Sequence, residues 1–126
     1  MYKFGTTSEK HLQGVHQDLV AVMREAIKYS PVDFGIVDGL RTKAEQKRYV
    51  AKGASKTMKS RHLTGKAVDI MCYVNGKGRW EEALYKKVGP HVKAAAKKLK
   101  VAIIWGGDWN WKDWGHFELD VKKYGY

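Results

Sequence analysis

Two short segments of this chain carry side chains that could jointly hold a metal ion. One is Ser60-Arg61-His62-Leu63-Thr64-Gly65-Lys66-Ala67-Val68-Asp69; the other, far downstream, is Asp113-Trp114-Gly115-His116. Together they offer two imidazoles and two carboxylates. Three such side chains can bind one Zn²⁺ and leave its fourth position open, which separates a catalytic zinc from a structural one. The remaining carboxylate then stands beside the metal to carry protons. The chemistry this set suits is metal-assisted hydrolysis.

The elements must bring the segments together. Residues 67–74 alternate as a strand does, so Ala67, Asp69 and Met71 share one face, and Val68, Ile70 and Cys72 the other. Gly65 permits the tight turn that returns His62 over Asp69, and the small Ala67 leaves room beneath an ion. Residues 115–119 read as a last strand, with His116 and Glu118 on one face and Phe117 and Leu119 turned to the core. Pairing of these two strands makes His62, Asp69 and His116 converge. Asp69 on an apolar strand needs compensation, from a metal or from Arg61 or Lys66. Asp113, three residues before His116, is the candidate proton carrier. Arg41, fixed by the capped helix start that follows it, is suited to stabilise an oxyanion. Asp108 competes with Asp113 and reads instead as an Asx turn or a residue behind the ligands. Glu118 can orient a ligand histidine or bind the substrate amine. Trp105, Trp109, Trp111 and Trp114 crowd this region; some serve the core, and Trp109 is assigned to a substrate groove. His11, His16 and His91 fall on helical sequence with no partner at metal spacing.

The rest of the chain reads as scaffold. Thr6-x-x-Glu9 is a capping box, and Leu12, Val15, Leu19, Val22, Met23, Ala26 and Ile27 follow at helical spacing, predicting one helix over 7–29 that Pro31 ends. Residues 34–37 are a short strand. Thr42-x-x-Glu45 is a second capping box, opening a helix over 43–51 that Gly53 stops. Residues 52–61 read as a mobile basic loop and 75–78 as a turn. Helical sequence runs over 80–99, where Gly89-Pro90 leaves one kinked helix or two shorter ones. Residues 101–105 are a buried strand and 106–112 a loop. The fold class is α+β: one domain over 1–126, with helices packed on a small, largely antiparallel sheet.

Composition narrows the partners. Twenty-four Lys and Arg stand against 13 Asp and Glu, a net charge of +11 that favours an anionic partner. Nucleic acid, anionic lipid, lipopolysaccharide and acidic wall polymer all qualify by charge alone. The bases are dispersed, in clusters at 56–61, 86–87, 97–100 and 122–123. No apolar run approaches the roughly 20 residues that cross a bilayer, and residues 1–6 show no apolar segment of a secretory signal. Cys72 is the only cysteine, which excludes an internal disulfide and a Cys-rich zinc site. It reads as a small buried thiol.

The paired pattern Ser60-x-His62-x-x-Gly65-x-Ala67-x-Asp69 and Asp113-x-Gly115-His116-x-Glu118-Leu119 resembles the VanY/VanX-like zinc peptidases of the D-alanyl-D-alanine carboxypeptidase family. Within that family the chain is most similar to short phage endolysins that are L-alanyl-D-glutamate peptidases. Phe4-Gly5, Ser8-Glu9-Lys10, Gly39-Leu40-Arg41-Thr42 and the stretch from Trp105 to Asn110 extend the likeness over nearly the whole chain. The resemblance implies one Zn²⁺ held by His62, Asp69 and His116, Asp113 as general base, Arg41 as the group that polarises substrate, and Ser60 near the substrate. Many relatives carry Glu where this chain has Asp113, so the backbone must bring the shorter side chain closer. The implied substrate is the peptidoglycan stem peptide, cut between L-Ala and D-Glu; the same chemistry on a terminal D-Ala-D-Ala bond is the nearest alternative. The implied setting is a monomer made in the host cytoplasm without a signal peptide, released to the wall and periplasm by a separate holin, and held near anionic envelope polymers. A basic binding module for nucleic acid has no need of a His/Asp/His set, so nucleic acid is not an expected partner. No Asp-rich loop suggests calcium.

Overall fold

The N-terminal amphipathic sequence forms two helices rather than one, α1 (Thr6–Leu12) and α2 (Gln17–Lys28). This is a computed structural model that describes residues 1–55 and 57–126; Lys56, part of the 56–61 basic cluster, lies outside the described residues. Gly14, at φ 82°, turns the chain between the helices. His16 then caps α2, its Nδ1 accepting from the Asp18 N–H at 3.0 Å. The periodicity hid this break because Leu12, Val15 and Leu19 are buried on both sides of it. The first capping box does not form. Gly5 takes the N-cap position without a side-chain bond, and Glu9 pairs with Arg24 of α2 at 2.6 Å.

Strand β1 (Asp33–Asp38) is followed by α3 (Lys43–Ala51), whose capping box is complete: Thr42 Oγ1 accepts from the Glu45 N–H at 3.1 Å, and Glu45 Oε1 from the Thr42 N–H at 2.8 Å. A 3₁₀ turn (Arg61–Thr64) leads into β2 (Ala67–Val74), which returns as the short β3 (Lys77–Arg79). The turn between them is narrower than the sequence suggested. Asn75 at φ 53° and Gly76 at φ 78° alone make it, the positive-φ pair of a two-residue hairpin. Helix α4 (Glu82–Leu99) is one helix across Gly89-Pro90. Gly89 is required there, because a Cβ would overlap the Trp105 indole. Strand β4 (Ile103–Trp105), a second 3₁₀ turn (Gly106–Asp108), β5 (His116–Leu119) and a short α5 (Val121–Tyr124) complete the chain. Among the elements read from the sequence, α5 has no counterpart.

The sheet is antiparallel, in the order β1-β2-β5-β4, with β3 on β2. Phe34, Ile36, Val68, Ile70, Cys72, Phe117 and Leu119 form one buried cluster with Leu19, Val22 and Met23 of α2 and Val88 and Val92 of α4. Their burial supplies the main driving force for folding. Cys72 is fully buried, and that burial pushes its thiol up to about 12. Among the described residues no helix is long and apolar enough to cross a membrane.

Candidate metal centre and active site

Strands β2 and β5 are neighbours, with Asp69 opposite His116 and Ala67 opposite Glu118. Alternation sends Val68, Ile70, Phe117 and Leu119 into the core and leaves Asp69, His116 and Glu118 together on the other face. His62 arrives from the 3₁₀ turn, where Ser60 Oγ accepts the His62 N–H at 3.2 Å. Gly65, at φ 70°, ends that turn and presses against the Gly14 carbonyl, where a Cβ would overlap. The His16 N–H donates to the Gly65 carbonyl at 2.7 Å. The break between α1 and α2 is therefore the cradle of the His62 turn.

Ligand atoms of His62, Asp69 and His116 all lie within 4.8 Å of one another. His62 Nε2 is 3.2 Å from Asp69 Oδ2, and His116 Nδ1 is 3.0 Å from Asp69 Oδ1. The outer nitrogens are anchored: His62 Nδ1 lies 2.8 Å from the Gly39 carbonyl, and His116 Nε2 lies 2.7 Å from Glu118 Oε1. Both outer partners are acceptors, so a neutral ring carries its proton on the outer nitrogen. Two nitrogen lone pairs then face the Asp69 carboxylate, an arrangement that repels unless a cation lies among them. A nitrogen-rich set with one carboxylate suits Zn²⁺. Without a metal a proton takes that part. Burial opposes charge on His116, but its bonds to Asp69 and Glu118 outweigh it and raise its pKa to about 10. Burial likewise opposes charge on Asp69, yet the two imidazoles hold its carboxyl well below the usual range.

Arg41 is only 7% exposed, and its N–H groups are nearly all engaged. Nε and Nη2 donate to Asp38 Oδ2, Nη1 donates to Gln46 Oε1 at 2.7 Å, and Nη2 also lies 3.5 Å from Asp69 Oδ2. The guanidinium stacks 4.0 Å from the centre of the Tyr49 ring. Asp38 reaches this face through a bulge. Ile36 pairs with Ile70, but Asp38 pairs with Asp69, so Val37 is the extra residue that turns Asp38 from the core side to the site side. Gln46 is fully buried; its amide donates to Ser55 Oγ at 2.9 Å and to the Thr57 carbonyl at 2.5 Å. Asp38, Gln46 and Tyr49 were missed by the sequence reading, since neither motif nor periodicity marks them.

Asp113 is half-buried, and its carboxyl makes no hydrogen bond or ion pair among the described residues. Burial, and then the nearby Asp69 charge, raise its pKa. Its backbone is pinned where the shorter side chain needs it: the Asp113 N–H donates to the Gly106 carbonyl at 3.1 Å, and a Cβ on Gly106 would overlap the Asp113 carbonyl. Both Glu118 oxygens are taken, one by His116 and the other by Arg61 Nη1 at 3.2 Å. Of the two roles foreseen for Glu118, this geometry favours orienting the histidine. Arg61 and Lys66 do not compensate Asp69 as one expectation had it. Arg61 binds Glu118, and Lys66 donates to the Tyr124 carbonyl at 3.1 Å, leaving Arg41 as the cation at Asp69. Trp109 leans on His116 with ring centres 5.2 Å apart, whereas Trp105 is buried and donates to the Trp114 carbonyl. Asp108, expected as an Asx turn or behind the ligands, is exposed and pairs with Lys93 of α4 at 2.8 Å. His91 bonds the Ala26 carbonyl at 2.8 Å, a structural role.

The triad, Asp113, Arg41, Ser60 and Trp109 line one groove of about 510 Å³. A small α+β fold with a metal-type triad on its sheet and a carboxyl free to take a proton beside it defines a hydrolase class. The chain matches the family described as phage L-alanyl-D-glutamate peptidase over residues 1–125, and it belongs to that family. It is 37% identical to the L-alanyl-D-glutamate peptidase of Escherichia phage T5, over 97% of this chain and 90% of that protein. It is 36% identical to the peptidase of the same name from Listeria phage A118, over 71% of this chain and 31% of that longer protein. The crystal structure of the Serratia marcescens L-Ala D-Glu endopeptidase ChiX superposes with a TM-score of 0.93 at 41% identity, covering 99% of this chain and 95% of that one.

Proposed function

We propose that this protein is a phage endolysin, a zinc-dependent peptidase that hydrolyses the L-Ala–D-Glu bond of peptidoglycan stem peptides. The observation that carries the reading is the convergence of His62, Asp69 and His116, each histidine anchored through its outer nitrogen, beside the unpaired Asp113. The family and its relatives supply the substrate.

His62 Nε2, an Asp69 oxygen and His116 Nδ1 would hold the zinc. When bound, the metal supplies Lewis acidity that polarises a carbonyl and lowers the pKa of water towards about 7. Asp113 takes the proton of the attacking water and passes it to the leaving amine of D-Glu. Its raised proton affinity suits both halves of that task. Arg41 is held rigidly by Asp38 and Gln46, so its remaining Nη1 donor meets the developing oxyanion without reorganising. Trp109 walls the groove above His116, and Ser60 fixes the His62 turn at the groove's edge. The net charge of +11 keeps the enzyme near anionic envelope polymers. One chain holds every group named here, which fits a monomer. The substrate requires release to the wall and periplasm, the step a holin provides.

The test is zinc-loaded protein on purified sacculi, with mapping of the new termini. New D-Glu amino termini that EDTA suppresses support the proposal. Release of terminal D-Ala alone, or cleavage unaffected by EDTA, overturns it.

A further inference from the structure

Among the described residues, the groove's arginines are already paired. Arg41 is neutralised by Asp38, and Arg61 by Glu118. Lys66, just behind, is held by the Tyr124 and Tyr126 carbonyl oxygens. Of the described cations that line the groove, Lys59 is the exception: it is exposed and has no carboxylate partner among the described residues. Nor is it on a loose stretch of loop. Its N–H donates to Thr57 Oγ1 at 2.9 Å, and the Thr57 carbonyl is bound at 2.5 Å by the fully buried Gln46 amide, which also grips Arg41. One buried side chain thus sets both Arg41 and the segment that presents Lys59.

A peptide cut on the amino side of a glutamyl residue brings an anion into the groove. The glutamyl residue carries the chain onward through one carboxyl and keeps the other free, a few bonds from the scissile nitrogen. We propose that the Lys59 ammonium is the binding site for this free carboxylate, and so selects a glutamyl over a glutaminyl residue after the scissile bond. The inference rests on the peptidase reading above and adds the group that reads the substrate's charge. Lys59 touches no reacting atom; it holds the substrate in place.

The test uses two soluble muropeptides, identical except that the free glutamyl carboxyl is an acid in one and an amide in the other. Each is given to the zinc-loaded protein and to Lys59→Met and Lys59→Arg variants. The wild type should favour the acid by roughly tenfold in kcat/KM, the scale of one charge-assisted hydrogen bond at a solvent-open site. That ratio should fall to near one in Lys59→Met, mainly through KM, and survive in Lys59→Arg. Because the readout is a ratio on one protein sample, loss of folded material cancels. A Lys59→Met ratio equal to the wild-type ratio overturns the assignment, and so does a wild type that cuts both forms equally. A wild type that cuts neither at this bond overturns the peptidase reading itself.

Discussion

Glu118→Gln changes one atom and should weaken zinc binding without unfolding the protein. In the native site one Glu118 oxygen accepts from His116 Nε2–H at 2.7 Å, and the other accepts from Arg61 Nη1 at 3.2 Å. An amide has a single acceptor oxygen. Turned towards His116, it leaves an NH₂ group facing the buried Arg61 guanidinium, two donors in opposition. Turned towards Arg61, it presents NH₂ to His116 Nε2, which favours the tautomer whose proton sits on Nδ1, the nitrogen aimed at Asp69. Either way the ligand nitrogen is less basic or blocked. Changes to groups that orient metal-bound histidines cost about 10- to 100-fold in affinity, or roughly 1.4 to 2.8 kcal/mol. Competition against a chelator of known zinc affinity reads this directly, with thermal unfolding of the metal-free variant as the check on folding. A zinc Kd within twofold of wild type, in a folded variant, refutes the claim that Glu118 sets the His116 tautomer.

Further outcomes follow from the same geometry. Asp113→Ala should lower kcat by about 10²- to 10⁴-fold while stoichiometric zinc remains by metal analysis; undiminished turnover would remove Asp113 from proton transfer. Gly106→Ala forces a methyl group against the Asp113 carbonyl, so kcat should drop about tenfold or more with zinc affinity retained; wild-type kcat would show that the close approach is not needed. In metal-free protein the His116 pKa is raised from 6.5 to about 10, so its protonation stabilises the folded state fully below about 6.5. That contribution is lost as pH rises towards 10, and the Tm of the metal-free protein should fall between pH 7 and pH 9 while that of the zinc-loaded protein falls less. A flat metal-free profile would contradict the protonated His116–Asp69 pair.

The parts that were legible in the sequence are those governed by local rules. The bounds of α3 followed from its capping box, and those of β2 from an alternation sufficient for a strand. The His62, Asp69 and His116 set followed from strand parity once two strands were paired. What stayed hidden depends on contacts between elements. The α1–α2 break leaves the helical spacing from Leu12 to Ile27 intact, so only the Gly14 conformation and the Gly65 turn packed against it expose the division. The Thr6 capping box does not form because the helix begins one residue earlier, with Gly5 at the N-cap and Thr6 inside the first turn, and Glu9 pairs with Arg24 instead. The Val37 bulge that brings Asp38 under Arg41 is a register event, invisible without its partner strand. Gln46 looks like an ordinary helix surface residue, yet it is buried because Arg41 and Thr57 close over it.

Three side chains, from two strands and one turn, are proposed to hold a single zinc. Anomalous diffraction at the zinc edge, from crystals of the zinc-loaded protein, tests it most directly. One peak is expected at about 2.0 to 2.2 Å from His62 Nε2, an Asp69 oxygen and His116 Nδ1. A peak elsewhere, or none among these three atoms in protein that still cleaves the stem peptide, contradicts it.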